Sequence, residues 1–454
     1  MGKKLLSKLF IIFLLITLFI PATFAIELPK LSCKSAILID NDSGKILYSI
    51  NENEKIYPAS TTKVLTAILA LENLDISSST VVSKEAIDIP YDSSNAALKH
   101  GEVMKIEDLL YALMLKSGND AANVLGEAVS GNIHDFVTLM NKKAKEIGCI
   151  NTNFTNTHGY HDDNHYTTPY DMMKILSYAM KNEQFIKIFS TVSYTIPATN
   201  KTSKERIYQN TNRLILTKED SYLSRYYENC VGGKTGYTLE AGRTLVAYGK
   251  KDDKNLILGV FNSTPAGIED FRYTDSINLF EYGFNNFEKT KILNKMDYSF
   301  TYKNEENDNI YNYTISDDIY VLANEEEQNE LTIVDYKINL DYDALASYNV
   351  NTENYKNQVI GSIKISFSQN SSTYDKEFDL VLDKIELIPW LERKSTQKLL
   401  TNILITILII FTLFLVLKLY IKTSRKRKKK RKTRTSNIQT RKVTNYKSRR
   451  KRQV

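Results

Sequence analysis

The stretch PASTTKVLTA, residues 58–67, places a hydroxyl, Ser60, three positions before a lysine, Lys63, just where an apolar helix begins. Val64, Leu65, Ile68, Leu69 and Leu71 then recur at helical spacing. Residues three apart share a helix face, so Ser60 and Lys63 point the same way. A lysine amine beside a serine hydroxyl meets the minimal requirement for activating a serine nucleophile without a histidine. The same letters also fit a plain helix start, with a hydroxyl N-cap and a solvated lysine one turn later. The rest of the chain decides between these two readings.

With 454 residues the chain has room for two or three domains. Its first 25 residues carry Lys3, Lys4 and Lys8, then an apolar run from Leu9 to Ile20, then the small residues Thr23 and Ala25. That is the pattern of a secretory signal peptide cut after Ala25. Near the other end, Leu399 to Leu417 is uncharged and apolar apart from Thr401, Asn402, Thr406 and Thr412. Nineteen such residues are long enough to span a bilayer, so a transmembrane helix is expected over 399–421. From Lys422 to Val454 there are 17 Lys or Arg and no acid. Positive charge beside a span marks the cytoplasmic side. The sequence thus predicts a single-pass protein of the cell membrane, its main part outside and a basic tail, 422–454, in the cytoplasm. The formal net charge is +7; without the tail's +17 and the leader's +3 the remainder carries −13. The tail has one aromatic, Tyr446, and no recognition fold, so anionic lipid is its expected partner rather than a specific nucleic acid. Cys33, Cys149 and Cys230 are too few for a disulfide framework, and no pairing is predicted.

Between the ends two textures alternate. SAILIDNDSGKILYSIN, from Ser35, reads as two strands with a turn at Asn41–Gly44. Ile106, Leu109, Leu110, Leu113 and Met114 mark an amphipathic helix that runs toward Gly118, and a second helical pattern resumes at Ala121. Phe136–Ile147 and Pro169–Lys181 are further helices, with Pro169 suited to a first turn. GGKTGYT, RTLVAYGK and NLILGVFN read as strands, KDDK as the turn between the last two, and IEDFRYTDSINLFEYGFNNF as a closing helix. Strands at both ends with helices between predict an α+β domain built on an antiparallel sheet, residues 30–288. Short alternating runs over 290–390 predict a small all-β domain.

Three short motifs stand in order along this domain: Ser60-x-x-Lys63, Ser117-Gly118-Asn119 and Lys234-Thr235-Gly236. Each is common alone; together, in an expected exported protein, they form the set found in penicillin-binding proteins and class A β-lactamases. Acyl transfer needs a nucleophile, Ser60, and a base, Lys63. Ser117, backed by a lysine, can return a proton to a leaving amine. The Asn119 amide can both donate to and accept from a peptide backbone. The N–H groups of Ser60 and Tyr237 are candidate oxyanion donors. Gly232, Gly233 and Gly236 let a ligand lie close to the strand, and Lys234 offers charge to a carboxylate.

The chain resembles the serine-type D-alanyl-D-alanine carboxypeptidases, the low-molecular-mass penicillin-binding proteins. PASTTK, FTNTHGYHDDNHYTTPYDM, GGKTGYTLEAGRTLVA and FRYTDSINLFEYGF carry the likeness, which covers residues 30–288. It implies a β-lactamase/DD-peptidase-like fold and a peptidoglycan stem pentapeptide ending in D-Ala-D-Ala as substrate. It implies attack by Ser60 on the penultimate carbonyl, hydrolysis of the acyl-enzyme by water, and β-lactams as acylating inhibitors. It gives Arg272, ten residues before Tyr282, a role in holding the terminal carboxylate, and places Lys234, Thr235, Gly236 and Tyr237 with Asn119 in the substrate-binding site. No metal or other cofactor is implied. The family ordinarily ends in an amphipathic anchor, whereas this chain carries a full apolar span.

Other readings use the same residues. His158, His161 and His165 with Asp162 and Asp163 have zinc-like spacing, but Gly159 and the acidic run mark a loop rather than a rigid ligand frame. Cys230 reads as inert strand packing. A β-lactamase would need a second carboxylate base, and Glu146 has no matching spacing. An endopeptidase acting on D-Ala crosslinks would use the same site. A non-catalytic wall-binding scaffold would have no need of Ser60, Lys63 and Ser117 together.

Overall fold

The computed structural model describes residues 27–263, 269–295, 299–303, 310–325, 327, 332–347, 357–369 and 372–386, with a few positions between 406 and 413. The expected leader, the basic tail and nearly all of the expected span lie outside these residues. Among the described residues no helix is long and apolar enough to cross a membrane.

The chain opens with β1 (Cys33–Asp40) and β2 (Ile46–Ile50), joined at the expected turn. Helix α1 (Lys63–Asn73) follows, then the small hairpin of β3 (Ser79–Val81) and β4 (Val103–Lys105). Next come α2 (Ile106–Met114), α3 (Asn119–Ser130), α4 (Ile133–Glu146), α5 (Pro169–Ala179) and α6 (Glu183–Ser190). A second small hairpin, β5 (Ser193–Ile196) and β6 (Arg206–Gln209), leads to β7 (Cys230–Thr238), β8 (Gly242–Lys251), β9 (Lys254–Ser263) and α7 (Phe271–Asn286). Five strands form one antiparallel sheet in the order β2-β1-β9-β8-β7, so β7 is an edge.

The sheet separates two apolar cores, and strand alternation explains how. Ile37 and Ile39 of β1 and Ile257 and Phe261 of β9 face the core built with α1 to α6. Ala36 and Leu38, Leu256, Leu258 and Val260 face the other, which α7 closes with Leu279, Phe280 and Phe284. Burial on both faces is why these strands read as nearly continuous apolar runs. Helix α1 lies inside the first core, with Val64, Leu65, Ala67, Ile68, Leu69 and Ala70 buried. At α5 the Thr168 hydroxyl accepts from Asp171 N at 3.1 Å, and Pro169 occupies the first turn, as its position suggested. Helix α2 stops at Met114, short of the expected Gly118, because Ser117 takes a left-handed backbone (φ +62) and Gly118 N bonds back to Ala112 O at 3.1 Å.

Beyond α7 lie β10 (Glu288–Leu293), β11 (Ser299–Lys303), β12 (Ile310–Ile315), β13 (Ile319–Ala323), β14 (Thr332–Leu340), the short helix α8 (Tyr342–Ser347), β15 (Val359–Gln369) and β16 (Ser372–Glu386). Two compact units divide the chain. One holds residues up to Ser299 and Thr314–Val381; in it β10 pairs with β13, and β14, β15 and β16 run antiparallel. The other holds Phe300–Tyr313 and the chain from Leu382; in it Phe300 stacks on Tyr313 with ring centroids 5.6 Å apart.

Candidate active site

Ser60 sits on a single 3-10 turn, Ala59–Thr62, that runs straight into α1. Ala59 is left-handed (φ +49), a costly conformation for a residue with a Cβ. Neighbours hold the turn in place. Thr61 donates its hydroxyl to Pro58 O at 2.7 Å. Gly159 packs so tightly that a Cβ there would lie 1.7 Å from Ala59 O, and its own φ is +86. Only glycine fits that position.

Lys63 is fully buried, and its Nζ has three neighbours. Ser60 Oγ lies at 2.9 Å, Asn119 Oδ1 at 2.7 Å and His158 O at 2.8 Å. Burial, then the nearby charge of Lys234, holds its proton affinity well below the ordinary lysine range, with Asp120 partly opposing. A neutral amine has two N–H groups and one lone pair. The carboxamide oxygen and the carbonyl oxygen can only accept, so they take the two N–H groups, and the lone pair faces the Ser60 hydroxyl. That is the arrangement of a general base.

The second motif sits where α3 begins. Lys234, fully buried on β7, donates to Ser117 Oγ at 3.0 Å and to Thr235 O at 2.9 Å. Burial and then the Arg272 charge lower its pKa to about 7. Asn119 is the first residue of α3, and its side chain spans to Lys63. All three motifs therefore meet: Ser60 with Lys63, Lys63 with Asn119, Ser117 with Lys234. At Gly236 strand β7 passes close to the turn that carries Ser60. A Cβ there would lie 2.9 Å from Ser60 N and 2.4 Å from Thr244 Oγ1. Tyr237, the next residue, is exposed. Thr235 donates to Thr211 Oγ1 at 2.7 Å. Arg272, buried on α7, lies against the same strand. It donates to Gly236 O at 3.3 Å, to Thr244 O at 3.4 Å and to Asp270 Oδ2 at 2.8 Å.

The peptidase S11 family, described as D-alanyl-D-alanine carboxypeptidase, matches residues 22–264, more than half of the chain. The chain belongs to this family. Among curated relatives, D-alanyl-D-alanine carboxypeptidase DacF of Bacillus subtilis is 36% identical over 296 residues, covering 63% of this chain and 72% of that protein. The D-alanyl-D-alanine carboxypeptidase of Streptomyces sp. K15 is 32% identical over 279 residues, 58% of this chain and 91% of that protein. Among solved structures, penicillin binding protein 5 of Haemophilus influenzae superposes with a TM-score of 0.58 at 27% identity, covering 80% of this chain and 99% of that one.

In this S11 carboxypeptidase the histidine loop is a brace. His158 presents its backbone oxygen to Lys63, and its Nδ1 accepts from Tyr160 N at 3.1 Å. His165 accepts from Thr155 N at 3.1 Å through Nδ1, so its Nε2 carries the proton donated to Thr62 Oγ1 at 2.9 Å. Burial lowers both, His165 to about 3. Neutral rings committed in this way act as struts under the turn that carries Ser60. Cys33, Cys149 and Cys230 are buried and unpaired, and burial raises each thiol to about 12. A thiol so raised is inert as a nucleophile.

Sequence reasoning passed over Asp120, Asp270 and Thr211. Asp120, next to Asn119 at a helix start, carried a readable signal as an acid in a first turn. Thr211 had none, because its link to Thr235 is purely tertiary.

Proposed function

We propose that this chain is a serine D,D-carboxypeptidase that removes the terminal D-Ala from peptidoglycan stem pentapeptides. The carrying observation is the placement of Lys63 Nζ, 2.9 Å from Ser60 Oγ and held by two acceptor-only partners, Asn119 Oδ1 at 2.7 Å and His158 O at 2.8 Å. Lys63 takes the hydroxyl proton as Ser60 Oγ attacks the penultimate carbonyl. The N–H groups of Ser60 and Tyr237 receive the oxyanion. Ser117, hydrogen-bonded to Lys234, passes a proton to the departing D-Ala amine. Water then releases the acyl group. Lys234, Thr235 and Arg272 receive the terminal carboxylate, and Asn119 the peptide backbone. β-Lactams acylate the same serine.

The named relatives support this reading. The Streptomyces K15 protein, whose solved structure is 30% identical over 57% of this chain with a TM-score of 0.52, is also called a DD-transpeptidase. An amine acceptor in place of water is therefore the second reading. We further propose that residues 30–288 carry the chemistry, that 290–390 form a small β domain, and that a span at 399–421 and the tail at 422–454 anchor the enzyme in the cell membrane behind a signal peptide, 1–25. The experiment is release of free D-alanine from an acyl-D-Ala-D-Ala peptide, with Ser60→Ala beside the wild type. Release that vanishes in the variant is expected; undiminished release contradicts the nucleophile. Transfer to an added amine in preference to hydrolysis would favour the second reading.

A further inference from the structure

Asp120 is buried at the second position of α3, and each hydrogen bond its carboxylate accepts comes from a backbone N–H. Oδ1 accepts from Ala96 N at 2.8 Å and from Ala121 N at 2.9 Å. Oδ2 accepts from Ala96 N at 3.0 Å and from Leu98 N at 3.1 Å. The carboxylate thus ties residues 96–98 to the start of α3. The tied segment is strained, because Ala97 is left-handed (φ +57). It is fixed from its other side too. Tyr208 of β6 donates to Ala96 O at 2.5 Å, and Asn119 N donates to Ser94 O at 2.9 Å. The fit leaves no slack: a Cβ on Gly118 would lie 2.8 Å from Asp120 Oδ1 and 2.9 Å from Ala96 Cβ.

Just before Asp120 in the chain stand the two side chains the proposed reaction needs from this motif, Ser117 and Asn119. We propose that Asp120 is a positioning residue for acyl transfer: by tying the 96–98 segment to the first turn of α3 it holds Ser117 against Lys234 and Asn119 against Lys63. This rests on the acyl transfer proposed above. Its charge acts as well. The charged and titratable groups around Lys63 are Lys234, Asp120 and the neutral His158, and of these Asp120 alone favours the protonated amine. An amide cannot replace the carboxylate. Asp120→Asn would set an NH₂ group against either the Ala96 and Leu98 N–H groups or the Ala121 N–H, donor facing donor. It would also leave Lys63 losing its proton at still lower pH.

The test is the second-order rate of acylation by a penicillin from pH 5 to pH 9, on the full chain, with melting to verify folding. Wild-type acylation that disappears in Ser60→Ala comes first; if it is missing, the proposed activity falls and not the role of Asp120. Folded Asp120→Asn is expected to acylate ~100-fold more slowly, with its acid limb displaced to lower pH. Asp108→Asn, a buried acid on α2 that accepts from Tyr194 OH at 2.9 Å, is expected to stay within about threefold on an unmoved limb. A folded Asp120→Asn within about threefold of wild type, with its limb unmoved, overturns the proposal. Should Asp120→Asn not fold, Tyr208→Phe loosens the same segment from the far side. A several-fold slower acylation supports the clamp, and a wild-type rate contradicts it.

Discussion

Lys45 and Lys63 are both buried almost completely, and the structure treats them in opposite ways. Lys45, just before β2, meets a carboxylate: its Nζ lies 2.6 Å from Glu327 Oε2, donates to Leu322 O at 2.7 Å, and sits 5.5 Å from the Phe287 ring centroid. Burial lowers its proton affinity, and Glu327 and Asp40 offset only part of that. Lys63 meets no carboxylate in its three hydrogen bonds, and a second lysine stands close enough to depress it further. A buried ammonium is tolerated where an anion pairs it, and it becomes a strut. A buried amine denied that partner is pushed toward its neutral form, the form that the proposed base role needs. The same side chain is structural in one place and chemical in the other, and the difference lies in what surrounds it.

Exchanging the two lysines in turn should break the symmetry of the comparison. Lys63→Gln is expected to lower acylation by a penicillin ~1,000-fold in a protein that still folds, because the base is gone. Lys45→Met is expected to leave acylation within about twofold while stability falls by about 2 kcal/mol, since Glu327 keeps only part of its solvation. Denaturant melts and acylation rates read both; a Lys45 variant that loses acylation while folded would erase the distinction. A smaller effect is expected from Arg272→Ala. KM for a peptide with a free terminal carboxylate should rise roughly tenfold, with little change for the amidated peptide. An equal rise for both would assign Arg272 to bracing β7 through the Gly236 and Thr244 carbonyls instead.

The histidine struts sharpen the picture through pH. His165 titrates near 3 when folded and near 6.5 when exposed. Below pH 6.5 the unfolded chain therefore binds a proton that the folded chain refuses, so stability falls as pH falls. By pH 5 this single group costs about 2 kcal/mol, and His158 adds in the same direction. Thermal melts of wild type and His165→Gln between pH 5 and 8 check it; a wild-type melting point flat over that range would contradict neutral struts.

Legibility in the sequence followed range. Ser60 and Lys63 are three residues apart, so helical geometry alone aligned them. An antiparallel sheet with strands from both ends of the domain was readable because β1, β8 and β9 are dense apolar runs; its strand order and the separation of two cores were not. Ser117 and Lys234 are 117 residues apart; their order in the chain suggested a shared site, and only folding gives the 3.0 Å contact. Asp120 works on the backbone of two alanines and a leucine, which leave no mark in the sequence. Helix α6 and the β5–β6 hairpin were not anticipated. Four-residue strands rich in polar residues carry little pattern, and this pair is held by tertiary contacts such as Tyr194 stacked 3.7 Å from Tyr111 and Arg206 paired with Glu102 at 2.7 Å.

The most direct test of Ser60 as the nucleophile is to expose the protein to a penicillin at neutral pH, digest it, and locate the adduct by mass. A single stoichiometric adduct is predicted, on the peptide that carries Ser60. A folded protein that takes up no adduct, or carries it on another residue, would contradict the assignment of Ser60 as the nucleophile and Lys63 as its base.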